Sequence, residues 1–282
     1  PVLVIDAGDF LMGSLFHLQS REEAFELRLM KTMGYDMLTL GNHEFDLMPK
    51  GLARILNTAR NRESLPAIVS SNVIFSPDSP KDDTLERLFQ EGVVKPYRIL
   101  DKGGVTIGFF GLMGKNAAEV APFASPVSFG NPIETARRMV QILREREKAD
   151  MVICISHSGL NRDSEKSEDE ILAREVPGID VIISGHTHTK NEGAIRVNDT
   201  IIVQAWEYGK EVGILDLEQT GRKISLKDYK LVAIDDRIAG DSKISGMVDE
   251  FETLIDRNVL SSGGYRFRDV IAHTDFELNI ET

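Results

Sequence analysis

Gly41-Asn42-His43-Glu44-Phe45-Asp46 follows the apolar run Met37-Leu38-Thr39-Leu40. The run reads as a buried strand. The chain leaves it through a glycine and at once presents an amide, an imidazole and two carboxylates. Ligands of α/β sheets bind at the carboxyl ends of strands. The arrangement recurs in three other places. Asp6-Ala7-Gly8-Asp9 follows the apolar residues 2–5, Ser156-His157-Ser158-Gly159 follows 151–155, and Ser184-Gly185-His186-Thr187-His188 follows 181–183. Apolar runs that each end in metal-ligand side chains argue for one shared site.

The elements around these runs alternate. Residues 21–33 have helical apolar spacing through Phe25 and Leu29, and Gly34 ends them. Residues 49–60 form a helix with Pro49 near its start. Residues 67–71 read as a strand, and Lys102-Gly103-Gly104 marks a hairpin between 97–101 and 105–110. Residues 114–130 read as irregular. Asn131 caps a helix running to about residue 147. A short helix at 169–175 separates the strands at 151–155 and 181–183. After Gly185 come four consecutive strands, at 194–197, 201–205, 213–217 and 229–234, which read as antiparallel. A last helix covers 244–259. This order predicts an α/β fold of two packed sheets flanked by helices.

The chain has 282 residues, 41% of them hydrophobic, enough for one large domain or two small ones. A net charge of −12 argues against a nucleic-acid backbone as partner, since phosphate binding takes clustered Lys and Arg. It leaves room for a small phosphate ester if metal ions supply the positive charge. Cys154 is the only cysteine and lies in an apolar run, so it reads as an inert core thiol. No apolar run approaches the roughly 20 residues of a membrane span.

Asp, Asn and His suit divalent ions such as Zn²⁺, Mn²⁺ and Fe²⁺. His186 and His188 are two apart, so on an extended strand end both can reach one site. A carboxylate such as Asp9 can bridge two ions, and two ions about 3.5–4 Å apart can clamp a phosphoryl group. A histidine not used as a ligand is then available as acid or as transition-state stabiliser.

The ordered motifs GD, GNHEFD, SHSG and SGHTH resemble those of the calcineurin-like metallophosphoesterases. Ser71-Asn72-Val73 and Val94-Lys95-Pro96-Tyr97 narrow the resemblance to the branch of 5′-nucleotidases, UDP-sugar hydrolases and 2′,3′-cyclic phosphodiesterases. It covers nearly the whole chain. It implies a two-sheet sandwich with outer helices and a two-metal site. Residue by residue, it implies Asp9 as bridging ligand, Asn42, His157 and His186 on one ion, and His188 on the other. His43 matches the histidine that stabilises the phosphoryl transition state, and Asp46 the carboxylate that orients it, although a capping role for Asp46 competes. The implied reaction is attack by metal-bound hydroxide on a nucleoside 5′-monophosphate, with Zn, Mn, Fe or Co as the metal. UDP-sugar diphosphate hydrolysis and cyclic phosphodiesterase action share the motifs, and a thiosulfohydrolase is a more distant alternative.

Two departures qualify the resemblance. The family's Asp-x-His motif lies on a strand before the GD strand and is not among these residues. The chain is therefore expected to be a catalytic domain, 1–260, of a longer protein, with weak binding at the His188 ion and little turnover by itself. A metal-poor relic or binding module is the reading of another class. Residues 261–282, including Ile271-Ala272-His273-Thr274-Asp275-Phe276-Glu277-Leu278, resemble the connector to a C-terminal substrate domain. The family is commonly periplasmic, secreted or at the cell surface, which sets the expected location. Asp6 and Glu44 read as structural, Asn72 as turn or supporting residue, and His17 and His273 as non-ligands. Trp206 and Tyr208 read as core, with a place in the cleft wall as the competing reading, and the acidic run 165–170 reads as a solvated loop.

Overall fold

Short apolar runs bounded by polar turns become the central strands, and the computed structural model describes them within residues 2–221 and 223–276. In chain order the elements begin with β1 (Ile5–Asp6), α1 (Ser20–Glu23), α2 (Phe25–Met33), β2 (Met37–Thr39), α3 (Met48–Asn61), β3 (Ala67–Val69) and β4 (Val73–Ile74). There follow α4 (Asp83–Gln90), β5 (Val94–Lys95), β6 (Tyr97–Lys102), β7 (Val105–Met113), α5 (Lys115–Glu119), β8 (Ser128–Phe129) and α6 (Pro132–Gln141). The rest are β9 (Met151–His157), α7 (Glu168–Glu175), β10 (Val181–Ser184), β11 (Ile195–Val197), β12 (Thr200–Val203), β13 (Glu211–Thr220), β14 (Lys223–Ala233) and α8 (Ser242–Ile255).

One sheet has the order β1-β2-β3-β5, parallel throughout. The other has the order β11-β12-β10-β9-β7-β6, parallel from β12 to β7, with antiparallel strands at both edges. Alternating residues explain the layering. Met37 and Val69 join Phe109, Ile153, Ile155 and Val181 in the core between the sheets. Their neighbours Leu38 and Ile68 pack with Leu52, Ile55 and Leu56 of α3 on the outer side. Val152, Cys154 and Ile182 pack with Met139 and Val140 of α6 and Leu172 of α7. Both faces of each central strand are therefore covered, as in the family sandwich expected from the motifs.

The sheets touch at Gly111. Its carbonyl accepts the Ser71 N–H at 2.8 Å, and its amide donates to Ser71 Oγ at 3.2 Å. A Cβ built there would lie 2.3 Å from the Val69 carbonyl oxygen, and backbone cannot yield as a flexible side chain can.

Several local readings are corrected. The helix expected over 21–33 breaks at Ala24, whose φ of 47° is left-handed, so α1 and α2 are separate. Residues 114–130 are not wholly irregular, because they contain α5 and a 3-10 turn at Pro122–Ala124. Helix α4 is an addition to the elements expected. The strands after Gly185 are not simply antiparallel: β12 pairs with β11 in that sense but lies parallel to β10. All of β12 is buried, which suits a place inside the sheet. β13 and β14 pair antiparallel as expected. In the expected connector, Phe267 stacks on Phe16 at 5.2 Å. Residues 277–282 of that segment lie outside the described residues. Among the described residues no helix is long and apolar enough to cross a membrane.

Gly111→Ala is expected to cost about 1–3 kcal/mol or more by overpacking the contact between the sheets. Urea unfolding checks this, and an unchanged midpoint would contradict it.

Candidate metal centre

The four strand-end motifs meet at one end of the paired sheets. One ligand atom each from Asp9, His157 and His186 lies within 4.8 Å of the others. His157 Nε2 is 2.9 Å from Asp9 Oδ2 and 3.1 Å from Asn42 Oδ1. Its Nδ1 faces the Ala7 carbonyl oxygen at 2.6 Å. Gly41 makes this approach possible: a Cβ there would lie 2.3 Å from Asp9 Oδ1 and 2.6 Å from His157 Cε1.

Glu44 ties the first two loops together. Its buried carboxylate accepts the N–H groups of Gly41 at 2.5 Å, Asp9 at 2.9 Å and Leu11 at 3.1 Å. The structural role expected for Glu44 is therefore what its contacts describe. Burial and the charge of Asp9 push its pKa up to about 8, against the pull of these hydrogen bonds. The His43 amide donates to Asp9 Oδ1 at 2.9 Å, and the His43 ring meets Asp46 Oδ2 through Nδ1 at 2.7 Å. The imidazole–carboxylate pair is thus anchored to the same aspartate that enters the cluster. Asp46 also follows the 3-10 turn His43–Phe45 as its C-cap position.

His188 stands outside the group of three. Its Nδ1 is 3.1 Å from Glu207 Oε2, and Glu207 also holds the Lys210 ammonium at 2.7 Å. Tyr208 packs edge-on against the His188 ring and is 67% exposed. The expectation that Tyr208 is core is corrected; it lies at the surface beside His188. Trp206, half-buried, is flanked by the ammonium groups of Lys190 and Lys210.

The electrostatics of His157 test whether a cation fits. Its Nδ1 faces a carbonyl oxygen and so carries a proton. Nε2 then faces two more oxygens, and a lone pair there would put three electron-rich atoms on one point. Positive charge has to sit among them. Burial alone would lower the His157 pKa, but the hydrogen bond and charge of Asp9 outweigh it and raise it. Burial would likewise raise Asp9, and His157 with the His43 amide brings it below the usual range. Without metal, the needed charge is therefore the second imidazole proton. A divalent cation fits the same place, and two imidazoles, a carboxylate and an amide oxygen suit Zn, Mn, Fe or Co. Burial and the nearby His157 push His186 down to about 4, so it is neutral at pH 7. Its Nε2 meets Asn116 Oδ1 at 2.9 Å. Donating there, it keeps a lone pair on Nδ1.

Two supporting residues escaped the sequence reading. Asn116 follows the end of β7 just as the other polar groups follow their strands, so Gly114-Lys115-Asn116 was the available signal. Asp169 sits in the acidic run expected to be solvated, yet it is fully buried. Asp6 accepts the Gly8 N–H at 3.0 Å, and Asn72 bridges Met113 and Gly130. Both act within the framework. His17 and His273 do not join the cluster among the described residues. A polar cavity of about 360 Å³ shares Asn116 and Thr187 with the site and also reaches Lys115, Asn161 and Lys166.

Mn²⁺ held at His157 is expected to compete with the proton that Asp9 favours there, and so to release protons on binding. Affinity therefore rises with pH. Calorimetry in two buffers of different ionisation enthalpy measures this, and the release should vanish in His157→Ala. Binding without proton release would contradict the assignment.

Comparison with known proteins agrees with this geometry. The calcineurin-like phosphoesterase family matches residues 1–190. A trifunctional nucleotide phosphoesterase of Bacillus subtilis, YfkN, is 33% identical over 89% of this chain and 18% of its own length. A 5′-nucleotidase of Vibrio cholerae is 30% identical over 83% of this chain and 44% of its own. The chain thus spans less than half the length of these relatives. The crystal structure of a 5′-nucleotidase precursor from Thermus thermophilus superposes with a TM-score of 0.74 at 28% identity, over 90% of this chain and 50% of that one. The chain belongs to the calcineurin-like phosphoesterase family.

Proposed function

We propose that this chain is the catalytic domain of a two-metal phosphohydrolase that removes phosphate from nucleoside 5′-monophosphates. The observation that carries the reading is the single hydrogen bond between the His43 amide and Asp9, which locks an imidazole–carboxylate pair to the ligand cluster. The names of the Bacillus and Vibrio relatives support a nucleotide substrate.

In this reading Asp9 would be shared between two ions, Asn42, His157 and His186 would hold one of them, and His188 would serve the other. Bound divalent ions would supply positive charge to the phosphoryl oxygens and acidify a water. The chain's own residues do the positioning. Asp46 holds Nδ1 of His43, leaving Nε2 to face the phosphoryl group and its leaving oxygen. Asn42, buried against His157, offers its amide oxygen to the ion. The polar cavity beside Asn116 gives the rest of the ester room.

Residues 1–260 form the catalytic domain, and 261–282 lead toward a C-terminal substrate domain of a longer chain. An upstream strand bearing Asp-x-His would pair with β1. On its far side β1 pairs with no strand among the described residues. A periplasmic, secreted or surface location follows from the family reading.

His43→Gln in the full parent chain is expected to lower kcat on adenosine monophosphate by about 10²–10⁴-fold, the usual worth of such a group. Mn²⁺ binding should be retained. Undiminished turnover would overturn the role of His43. Parallel assays with a UDP-sugar and a 2′,3′-cyclic nucleotide decide the substrate: a higher kcat/KM for either would replace the monophosphate reading.

A further inference from the structure

Helix α7 begins with two adjacent carboxylates that reach in different directions. Asp169 is fully buried. Its Oδ1 accepts the Ser156 hydroxyl at 2.6 Å, and its Oδ2 accepts the Gly159 N–H at 3.2 Å. Ser156 and Gly159 flank His157 at the end of β9. One carboxylate thus braces both sides of His157 at the end of β9. Ser156 passes the contact on to Ser158 at 2.8 Å, and the Leu160 amide reaches Thr187, between His186 and His188, at 2.9 Å.

Glu168 turns the other way. Its two oxygens accept the amides of Lys115 at 2.7 Å and Asn116 at 2.9 Å. Asn116 in turn engages His186 Nε2. The first turn of α7 therefore holds the backbone that carries His157 and also the side chain that orients His186. A buried carboxylate needed only to cap its own helix would not reach residues on both sides of His157.

We propose that Asp169 and Glu168 are positioning residues for the metal centre, with Asp169 fixing the turn that carries His157 and Glu168 setting the ring of His186 through Asn116. This inference rests on the two-metal reading of the site. Groups behind metal ligands commonly change metal affinity by 10–100-fold when removed. Asp169→Ala leaves the Gly159 amide and Ser156 hydroxyl without their acceptor. Asp169→Asn keeps one carbonyl oxygen for Gly159 and an amide that rotating serine hydroxyls can accept.

Calorimetric titration of the chain with Mn²⁺ alone tests the proposal. Expected is affinity about tenfold or more weaker in Asp169→Ala, with partial recovery in Asp169→Asn, and a smaller weakening in Glu168→Gln. Leu172→Ala, in the same helix but buried in the outer core, is the control for lost stability. It should unfold more easily yet bind Mn²⁺ as the wild type does. If Leu172→Ala weakens binding as much as Asp169→Asn, or if both folded Asp169→Asn and Glu168→Gln bind like wild type, the positioning role is wrong. If Asp169→Ala does not fold, Asp169→Asn and Glu168→Gln still decide. A wild type that binds no Mn²⁺, or that His157→Ala leaves unchanged, refutes the metal reading itself.

Discussion

Two loops from neighbouring parallel strands carry Asp9 and His43, and one buried side chain ties their backbones together. Glu44 does so with backbone contacts. Its carboxylate gathers the amides of Gly41, Asp9 and Leu11, groups that would otherwise be buried donors without partners. Once they are held, Asp9 faces His157, its other oxygen takes the His43 amide, and His43 meets Asp46. The remaining geometry is built outward from that fixed corner.

The second constraint is the convergence of electron-rich atoms on His157 Nε2. Such an arrangement is unfavourable without a positive charge, whether proton or metal ion. Folding therefore stores no neutral site here; it makes a place that competes for cations. The two sheets contribute from opposite sides, with Asp9 and Asn42 from the first and His157 and His186 from the second. Their close approach depends on glycines at the contacts: Gly111 between the sheets and Gly41 between the loops. A methyl group at either point meets atoms that cannot move cheaply.

Much of this was legible in the sequence because strand ends and ligand residue types are both local signals. The runs before Gly41, His157 and His186 became buried strands as their apolar character suggested, whereas the run before Asp9 gave only the two-residue edge strand β1. What could not be read was whatever depends on distant partners. Asp169 looked like one more acid in a solvated run, since nothing local shows that β9 and β10 bury it. Ala24 breaks a helix whose apolar spacing continues unbroken. The parallel alignment of β12 with β10 is likewise a choice made by the open edge of the sheet. Asp9, Asn42, His157 and His186 lie together, whereas His188 turns to Glu207, a partner the motif gives no hint of.

The most direct test is anomalous diffraction from crystals of the chain grown with Mn²⁺. The account requires a manganese peak bounded by Asp9, Asn42, His157 and His186, with His43 and Asp46 beside it but not ligating. Well-ordered side chains with no peak at that point, or manganese held by other residues, would contradict it.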